Sequence, residues 1–269
     1  MSDGFLTAVA AVANALFLLG AIYLYLRLTR QIAARPDEPE EETTRTFGLP
    51  DAILAIGLAT LFAMNAATSS QSGKLVLGTN DLIANALVSV GLFLFVAAFL
   101  KIRGRDVSSL AGFAKLGFGR TLTTGVVLLL TAYPLILVAD VLTQRFLGGS
   151  SSRQGIVELF NDSQTLQQRA LIIVLAVVIA PLVEEFVFRF FLYGVVKRYV
   201  GRFAGLAANS LLFAAVHAHL PSAAPLFVLG VCFTIAYEWS GSILVSMTMH
   251  ALFNSLTLTA LAFPDLLQP

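Results

Sequence analysis

Long apolar stretches separated by short polar segments dominate this chain. A helix that crosses a bilayer needs roughly 20 mostly apolar residues, and eight stretches reach or approach that length. Charged and proline-containing segments separate them, as is typical of the loops between membrane spans. The pattern predicts an all-α, polytopic transmembrane helical bundle with about eight spans: residues 5–27, 51–69, 82–100, 121–143, 169–197, 203–218, 223–239 and 242–262.

The one long polar segment is an acidic linker, residues 29–50, between the first two spans. Five of its residues are acidic and two prolines interrupt them, so the segment cannot build a packed core and is predicted to be a solvated connector: Pro36, Asp37, Glu38, Pro39, Glu40, Glu41 and Glu42. We predict an N-terminal unit, residues 1–119, that holds spans 1–3 and this linker. A second unit, residues 120–269, holds the remaining spans.

Composition supports the membrane class. Hydrophobic residues make up 57% of the 269 residues and charged residues only 12%, about half the charged fraction of a soluble domain. The formal net charge of +1 gives no indication of a nucleic-acid partner. The single cysteine, Cys232, excludes a disulfide framework and a cysteine-based zinc cluster.

Lysines and arginines indicate the orientation of the spans. Twelve of the 17 lie in the loops after spans 1, 3 and 5, four lie in the opposite loops, and Arg189 lies within a span. Because cytoplasmic loops carry the excess of positive charge, this distribution predicts that both termini are outside. We expect an integral protein of a prokaryotic plasma membrane.

Six residues in the middle of the fifth predicted span, Glu184–Arg189, include three ionisable groups, which are costly within a bilayer and therefore suggest a function. Glu185 and Arg189 are four residues apart with the acid first, the favourable order for an ion pair within a helix. Glu184 is rotated by about 100° from Glu185 and has no such partner. Pro181 lacks an N–H, so it frees a backbone carbonyl one turn earlier and can open the helix locally.

Two further motifs lie in the sixth and eighth spans. Counted from the turn near Val200, Glu184 and His217 lie about 16 residues away on either side, hence ~24 Å along their helices and at similar depth. His250 and Asn254 are four residues apart and project from one face of the last span. We therefore expect all four side chains to line one water-accessible cavity within the bilayer.

These motifs resemble those of the CAAX protease and bacteriocin-processing family (CPBP, also called Abi), which includes the type II CAAX prenyl endopeptidases. The family pattern is Glu-Glu-x-x-x-Arg, then Phe-x-x-x-His, then His-x-x-x-Asn, each on a separate span. Here Glu184–Arg189, Phe213–His217 and His250–Asn254 match in that order. The resemblance covers roughly residues 120–262, so it implies a CPBP-like intramembrane peptidase domain in residues 120–269.

The resemblance implies a role for each motif residue. Glu184 is expected to be the general base that activates a water molecule, and His217 is expected to help hold that water. His250 and Asn254 are expected to stabilise the oxyanion of the tetrahedral intermediate, and Glu185 and Arg189 to support the site structurally. A base, an imidazole and two donors on one helix face are also, by their chemistry, the groups that an acyl-transfer site needs.

The metal requirement is open at the level of sequence. The family is widely described as metalloproteases, and Glu184, His217 and His250 would make a two-histidine, one-carboxylate set for zinc. The zinc-peptidase motif His-Glu-x-x-His is absent. We favour a metal-free mechanism with no cofactor.

The sequence thus favours an intramembrane endopeptidase that hydrolyses a peptide bond near the C-terminus of a membrane-anchored or prenylated substrate. A proton-coupled transporter is the alternative from another class, because carriers also bury ionisable residues; however, the polar groups cluster in spans 5–8 with no counterpart in spans 1–4. A non-catalytic immunity or scaffold protein of the same fold is a third possibility. Prenylated CAAX tails, bacteriocin leaders, sorting signals and anti-sigma-type peptides all remain open as substrates.

Overall fold

The fold is given by a computed structural model that describes residues 3–36, 47–69, 78–147, 160, 163 and 165–263. Every regular element within these residues is helical, which confirms the predicted all-α class. We number the helices in chain order: α1 (Asp3–Ala33), α2 (Leu49–Ser69), α3 (Thr79–Ile102), α4 (Val107–Ala111), α5 (Phe118–Leu147), α6 (Leu166–Val200), α7 (Arg202–Val216), α8 (Ala223–Ser240) and α9 (Ile243–Ala262).

Seven of these helices are long and apolar enough to cross a membrane, and the chain is an integral membrane protein. The sixth predicted span, residues 203–218, is shorter than expected because α7 ends at Val216. Its 15 residues rise about 22 Å, less than the roughly 30 Å of a bilayer core. The acidic residues of the predicted linker, residues 37–42, lie outside the described residues.

Helix α6 is partly buried in the bundle and is not a regular α-helix. It contains two π-helical segments, Leu175–Ile179 and Glu185–Leu192, separated by a short α-helical segment that includes Pro181. All eight residues of the second segment are buried. π-Helical turns inside α-helices are rare overall, but where they occur they often lie at functional sites. This part of α6 is therefore a candidate part of a functional site.

Small residues allow the helices around α6 to approach closely. A Cβ atom at Gly125 of α5 would lie only 2.7 Å from Cγ2 of Thr248 on α9, so the α5–α9 contact requires glycine there. Such contacts are typical of membrane helices, where close van der Waals packing replaces hydrophobic burial as the cause of association. The contact holds the helix that carries His250 and Asn254 against α5.

Polar contacts join the ends of several helices at one end of the bundle. The guanidinium of Arg202, at the start of α7, donates hydrogen bonds to the backbone carbonyls of Ile32, in the last turn of α1, and Arg35, just after it (3.1 and 2.9 Å). The carboxylate of Glu238 in α8 pairs with Lys197 of α6 at 2.7 Å. These contacts fix the ends of α1, α6, α7 and α8 to one another, and thereby the registers of the helices that carry the predicted site.

Candidate active site

A cavity of about 380 Å³ lies beside the irregular helix α6 and is lined by all four residues that the sequence predicted to converge. Glu184 comes from α6, His217 from the end of α7, and His250 and Asn254 from α9. A larger groove of about 540 Å³ between α2, α6 and α7 is almost wholly apolar and contains none of these residues. The polar cavity is therefore the candidate active site.

Glu184 presents a carboxylate that is only partly accessible. Its side chain is 31% exposed, and its Oε2 atom is buried and has no hydrogen-bond partner among the described residues. That oxygen lies 3.9 Å from Nε2 of His250, too far for a direct hydrogen bond but a distance that one bridging water could serve. The carboxylate is thus available to accept a proton from a molecule in the cavity.

Glu185 and Arg189 form the ion pair that their spacing predicted, with 3.1 Å between Oε1 and the guanidinium NH1 and no exposure of either side chain. Buried charges are costly unless other groups compensate them. Here the guanidinium carbon of Arg189 lies 4.0 Å from the ring centre of Phe213 and 5.1 Å from that of Phe233. These cation–π contacts are strongest where water is excluded, and they give the motif residue Phe213 a specific role beneath the arginine.

Glu185 also makes a contact that the sequence did not predict. The same Oε1 atom lies 2.9 Å from Nδ1 of His250, which is 4% exposed and stacks against Phe233. A carboxylate paired with arginine can only accept, so Nδ1 of His250 must carry the hydrogen. The other ring nitrogen, Nε2, therefore faces Glu184 and the cavity. Glu185 thus orients a cavity residue in addition to pairing with Arg189.

His217 lies just beyond α7 rather than within a spanning helix, as a consequence of the early end of that helix. Its Nδ1 atom lies 2.7 Å from the backbone carbonyl of Phe213, and the two rings pack edge to face. Because a carbonyl oxygen only accepts, Nδ1 carries the hydrogen, and Nε2 of the neutral ring is left as an acceptor. That tautomer can accept a hydrogen bond from a water molecule.

Asn254 bonds to the opened part of α6. Its amide nitrogen donates to the backbone carbonyl of Ala176 at 2.7 Å. In a π-helix this carbonyl would accept from the N–H five residues later, but that residue is Pro181, which has none. The carbonyl that the proline frees is therefore paired by α9, and one of the two amide hydrogens of Asn254 remains for another acceptor.

Helix α3 contributes to the cavity wall, which sequence reasoning missed. Leu82, Asn85 and Ser89 all line the cavity, although they lie in the predicted N-terminal unit, residues 1–119. Two polar residues four apart in an apolar span were a readable signal, but neither is ionisable and neither belongs to a motif. The division at residue 119 remains a proposal, since the site draws on both sides of it.

The three residues considered for zinc do not form a ready-made metal site in this arrangement. Among the described residues, no three His, Cys, Asp or Glu side chains are grouped closely enough to hold a metal ion. Glu184 and His250 approach to 3.9 Å, but His217 does not join them in such a group. We therefore derive no step through a metal.

Comparison with known proteins agrees with the motifs. Residues 166–256 match the family model described as type II CAAX prenyl endopeptidase Rce1-like. The predicted resemblance to this family is confirmed. The Rce1-like segment runs from α6 to α9 and includes all six predicted site residues, while α3 lies outside it. Searches among curated proteins and among solved structures returned no match. The Rce1-like match indicates a protease of the membrane that acts on a peptide substrate.

Proposed function

We propose that the chain is an intramembrane endopeptidase that cleaves near the C-terminus of a membrane-anchored or prenylated substrate, with a water molecule activated by Glu184. The observation that carries the proposal is the juxtaposition of Glu184 and His250 at 3.9 Å in a cavity that also receives His217 and Asn254. These are the groups that water activation and oxyanion stabilisation require. We further propose that the protein resides in a prokaryotic plasma membrane.

The chemistry follows from the positions of the donors and acceptors. A water molecule held by Nε2 of His217 gives one proton to the Glu184 carboxylate while its oxygen attacks the substrate carbonyl carbon. The resulting oxyanion accepts hydrogen bonds from the unused amide hydrogen of Asn254 and from His250. Since Nδ1–H of His250 already donates to Glu185, His250 can donate through Nε2 only as an imidazolium.

Collapse of the intermediate breaks the carbon–nitrogen bond. Glu184 then returns its proton to the departing amine, so the products are a shortened protein with a new carboxylate and a released peptide with a free amine. No net charge is transferred to the enzyme, and Glu184 is ready for the next water. The cavity provides the water, which the surrounding apolar helices would otherwise exclude.

Purified protein in detergent or liposomes should be incubated with an internally quenched, farnesylated peptide that ends in a CAAX sequence. Mass spectrometry in ¹⁸O-labelled water should find one labelled oxygen in the new carboxyl group of the shortened product. Glu184→Gln should reduce turnover by at least about 10² because it keeps the shape and removes the base. Full activity in Glu184→Gln, at unchanged thermal stability, would exclude Glu184 as the base.

A further inference from the structure

One face of α3 forms a polar part of the cavity wall that lies outside the Rce1-like segment. Leu82, Asn85 and Ser89 are spaced by three and four residues, which places them on one face of the helix. All three line the cavity that contains Glu184 and His250. The wall residues from α6 and α8 around them are mainly apolar, among them Leu175, Leu226 and Leu229.

Two apolar contacts fix the rotation of α3 against α6. Leu82 is 3% exposed and packs with Ile172 and Leu175 of α6 in a buried cluster. Eleven residues further along α3, the ring of Phe93 meets that of Phe186 with 4.6 Å between centres. Because both contacts are made by the same helix face, the positions between them are held toward the cavity.

No hydrogen bond within the described part of the protein accounts for the polar side chains of Asn85 and Ser89. Neither side chain makes a hydrogen bond to any residue that the structure describes, and Asn85 is exposed. In a membrane an unpaired amide costs free energy unless water or a ligand pairs it. The amide offers two donors and one acceptor, and the hydroxyl offers one donor and two acceptor lone pairs. This combination matches the N–H and C=O groups of an extended peptide.

We propose that Asn85 and Ser89 of α3 bind the main chain of the substrate peptide and position it beside Glu184. This inference rests on the proposed function, and it assigns part of substrate binding to a helix outside the family segment. An extended peptide brings N–H and C=O groups into an apolar region, where each must be paired. Asn85 and Ser89 act in binding, while the groups on α6, α7 and α9 act in chemistry.

The first test separates binding from chemistry with the farnesylated, quenched CAAX peptide. Asn85→Ala should raise KM about 3- to 10-fold, the effect of one lost hydrogen bond, with kcat changed less than about twofold. Ser89→Ala should act in the same direction and Ser89→Thr, which keeps the hydroxyl, should not. Asn80→Ala is the matched control, because Asn80 lies on the same helix and does not line the cavity. An unchanged KM in Asn85→Ala overturns the inference.

The second test asks whether Asn85 contacts a main-chain N–H. Peptides that carry an ester in place of one non-scissile amide lack that N–H and keep the side chains. At one position the ester should raise KM of the wild-type protein about 3- to 10-fold and leave KM of Asn85→Ala unchanged. If the ester and Asn85→Ala changed KM additively at every peptide position, Asn85 would not contact a main-chain N–H. A merely structural role of Asn85 would not depend on a substrate amide.

Binding without turnover separates this inference from the proposed function. A dansyl-labelled farnesylated CAAX peptide should bind the Glu184→Gln protein more tightly than the Glu184→Gln/Asn85→Ala protein. Wild-type cleavage together with equal peptide affinities would leave the proposed function standing and overturn only the α3 subsite. A change in oligomeric state with unchanged affinity would assign Asn85 to self-association instead. If wild-type protein neither cleaves nor binds the peptide, both proposals fall.

Discussion

The imidazole of His250 is bonded through Nδ1 to the carboxylate of Glu185, 65 residues earlier in the chain, at 2.9 Å. The same carboxylate oxygen pairs with Arg189 within α6. One buried carboxylate therefore connects an arginine packed against two phenylalanine rings to the histidine that faces Glu184. The orientation of a cavity residue thus depends on an ion pair whose two members do not themselves line the cavity.

We expect Glu185→Gln to lower both stability and turnover. The substitution leaves Arg189 buried without its counter-charge, which typically costs about 3–5 kcal/mol. It also weakens the bond that fixes the His250 ring, and loss of such an orienting partner typically reduces activity about 10- to 100-fold. Thermal unfolding in detergent and kcat with the quenched CAAX peptide measure the two effects.

The control for this substitution is Glu238→Gln, which removes a carboxylate from another ion pair, that with Lys197 at the end of the bundle. It should lower the unfolding temperature without changing kcat. If Glu185→Gln behaved in the same way, with lower stability and full turnover, its contact with His250 would have no part in catalysis.

The sequence predicted what depends on local spacing and missed what depends on helix packing. The Glu185–Arg189 pair follows from residues four apart on one helix, and the grouping of Glu184, His217, His250 and Asn254 follows from their depths in the spans. The bond between Glu185 and His250 requires the relative rotation of α6 and α9, which no periodicity encodes. Among the described residues, seven helices have the length of a span and the eighth predicted span is the shorter α7, which ends at Val216, a boundary that hydropathy does not fix.

Two variants of His217 should distinguish the roles of its two ring nitrogens. Asn can imitate the Nδ1–H that donates to the Phe213 carbonyl, whereas Gln places a polar atom near the position of Nε2. We expect His217→Gln to retain about tenfold more turnover than His217→Asn, the factor for a hydrogen bond of about 1.4 kcal/mol. We expect His217→Asn to be the more heat-stable of the two.

Opposite rankings in turnover and stability are specific to a water-holding role of Nε2. If His217→Asn were superior in both measurements, the histidine would serve only to close the end of α7. The rates of the two variants should be compared only if circular dichroism shows the same helix content in both.

Substitutions at Asn254 and Pro181 should have coupled effects on the free energy of unfolding. Asn254→Ala leaves the buried Ala176 carbonyl unpaired, at a cost of about 1–3 kcal/mol. Pro181→Ala supplies an N–H five residues after that carbonyl, so the double variant should recover most of the lost stability. Turnover should remain about 10²–10³ below that of the wild type, because the second amide hydrogen of Asn254 is the proposed oxyanion donor. A double-mutant cycle in unfolding free energy and in kcat measures both couplings.

The double variant could also recover turnover together with stability. In that case the Asn254 amide acts on the helix alone, and the oxyanion is stabilised elsewhere. Pro181→Ala by itself serves as the control, since it adds an N–H without removing the Asn254 amide.

Metal dependence distinguishes the two mechanisms that the residue types allow. If Glu184, His217 and His250 bound zinc, dialysis against a strong chelator would abolish turnover and zinc would restore it, because the ion would generate the nucleophile. We expect instead that EDTA and 1,10-phenanthroline leave kcat unchanged, since no three potential ligands are grouped within the described part of the chain and Glu184 can take the proton directly.

Metal analysis of purified protein provides a readout independent of activity, and His217→Ala should not change the metal content. Zinc at one equivalent per chain, lost in His217→Ala and required for turnover, would replace the metal-free mechanism. The peptidase proposal would survive that outcome, because the same cavity and the same cleavage product are common to both routes.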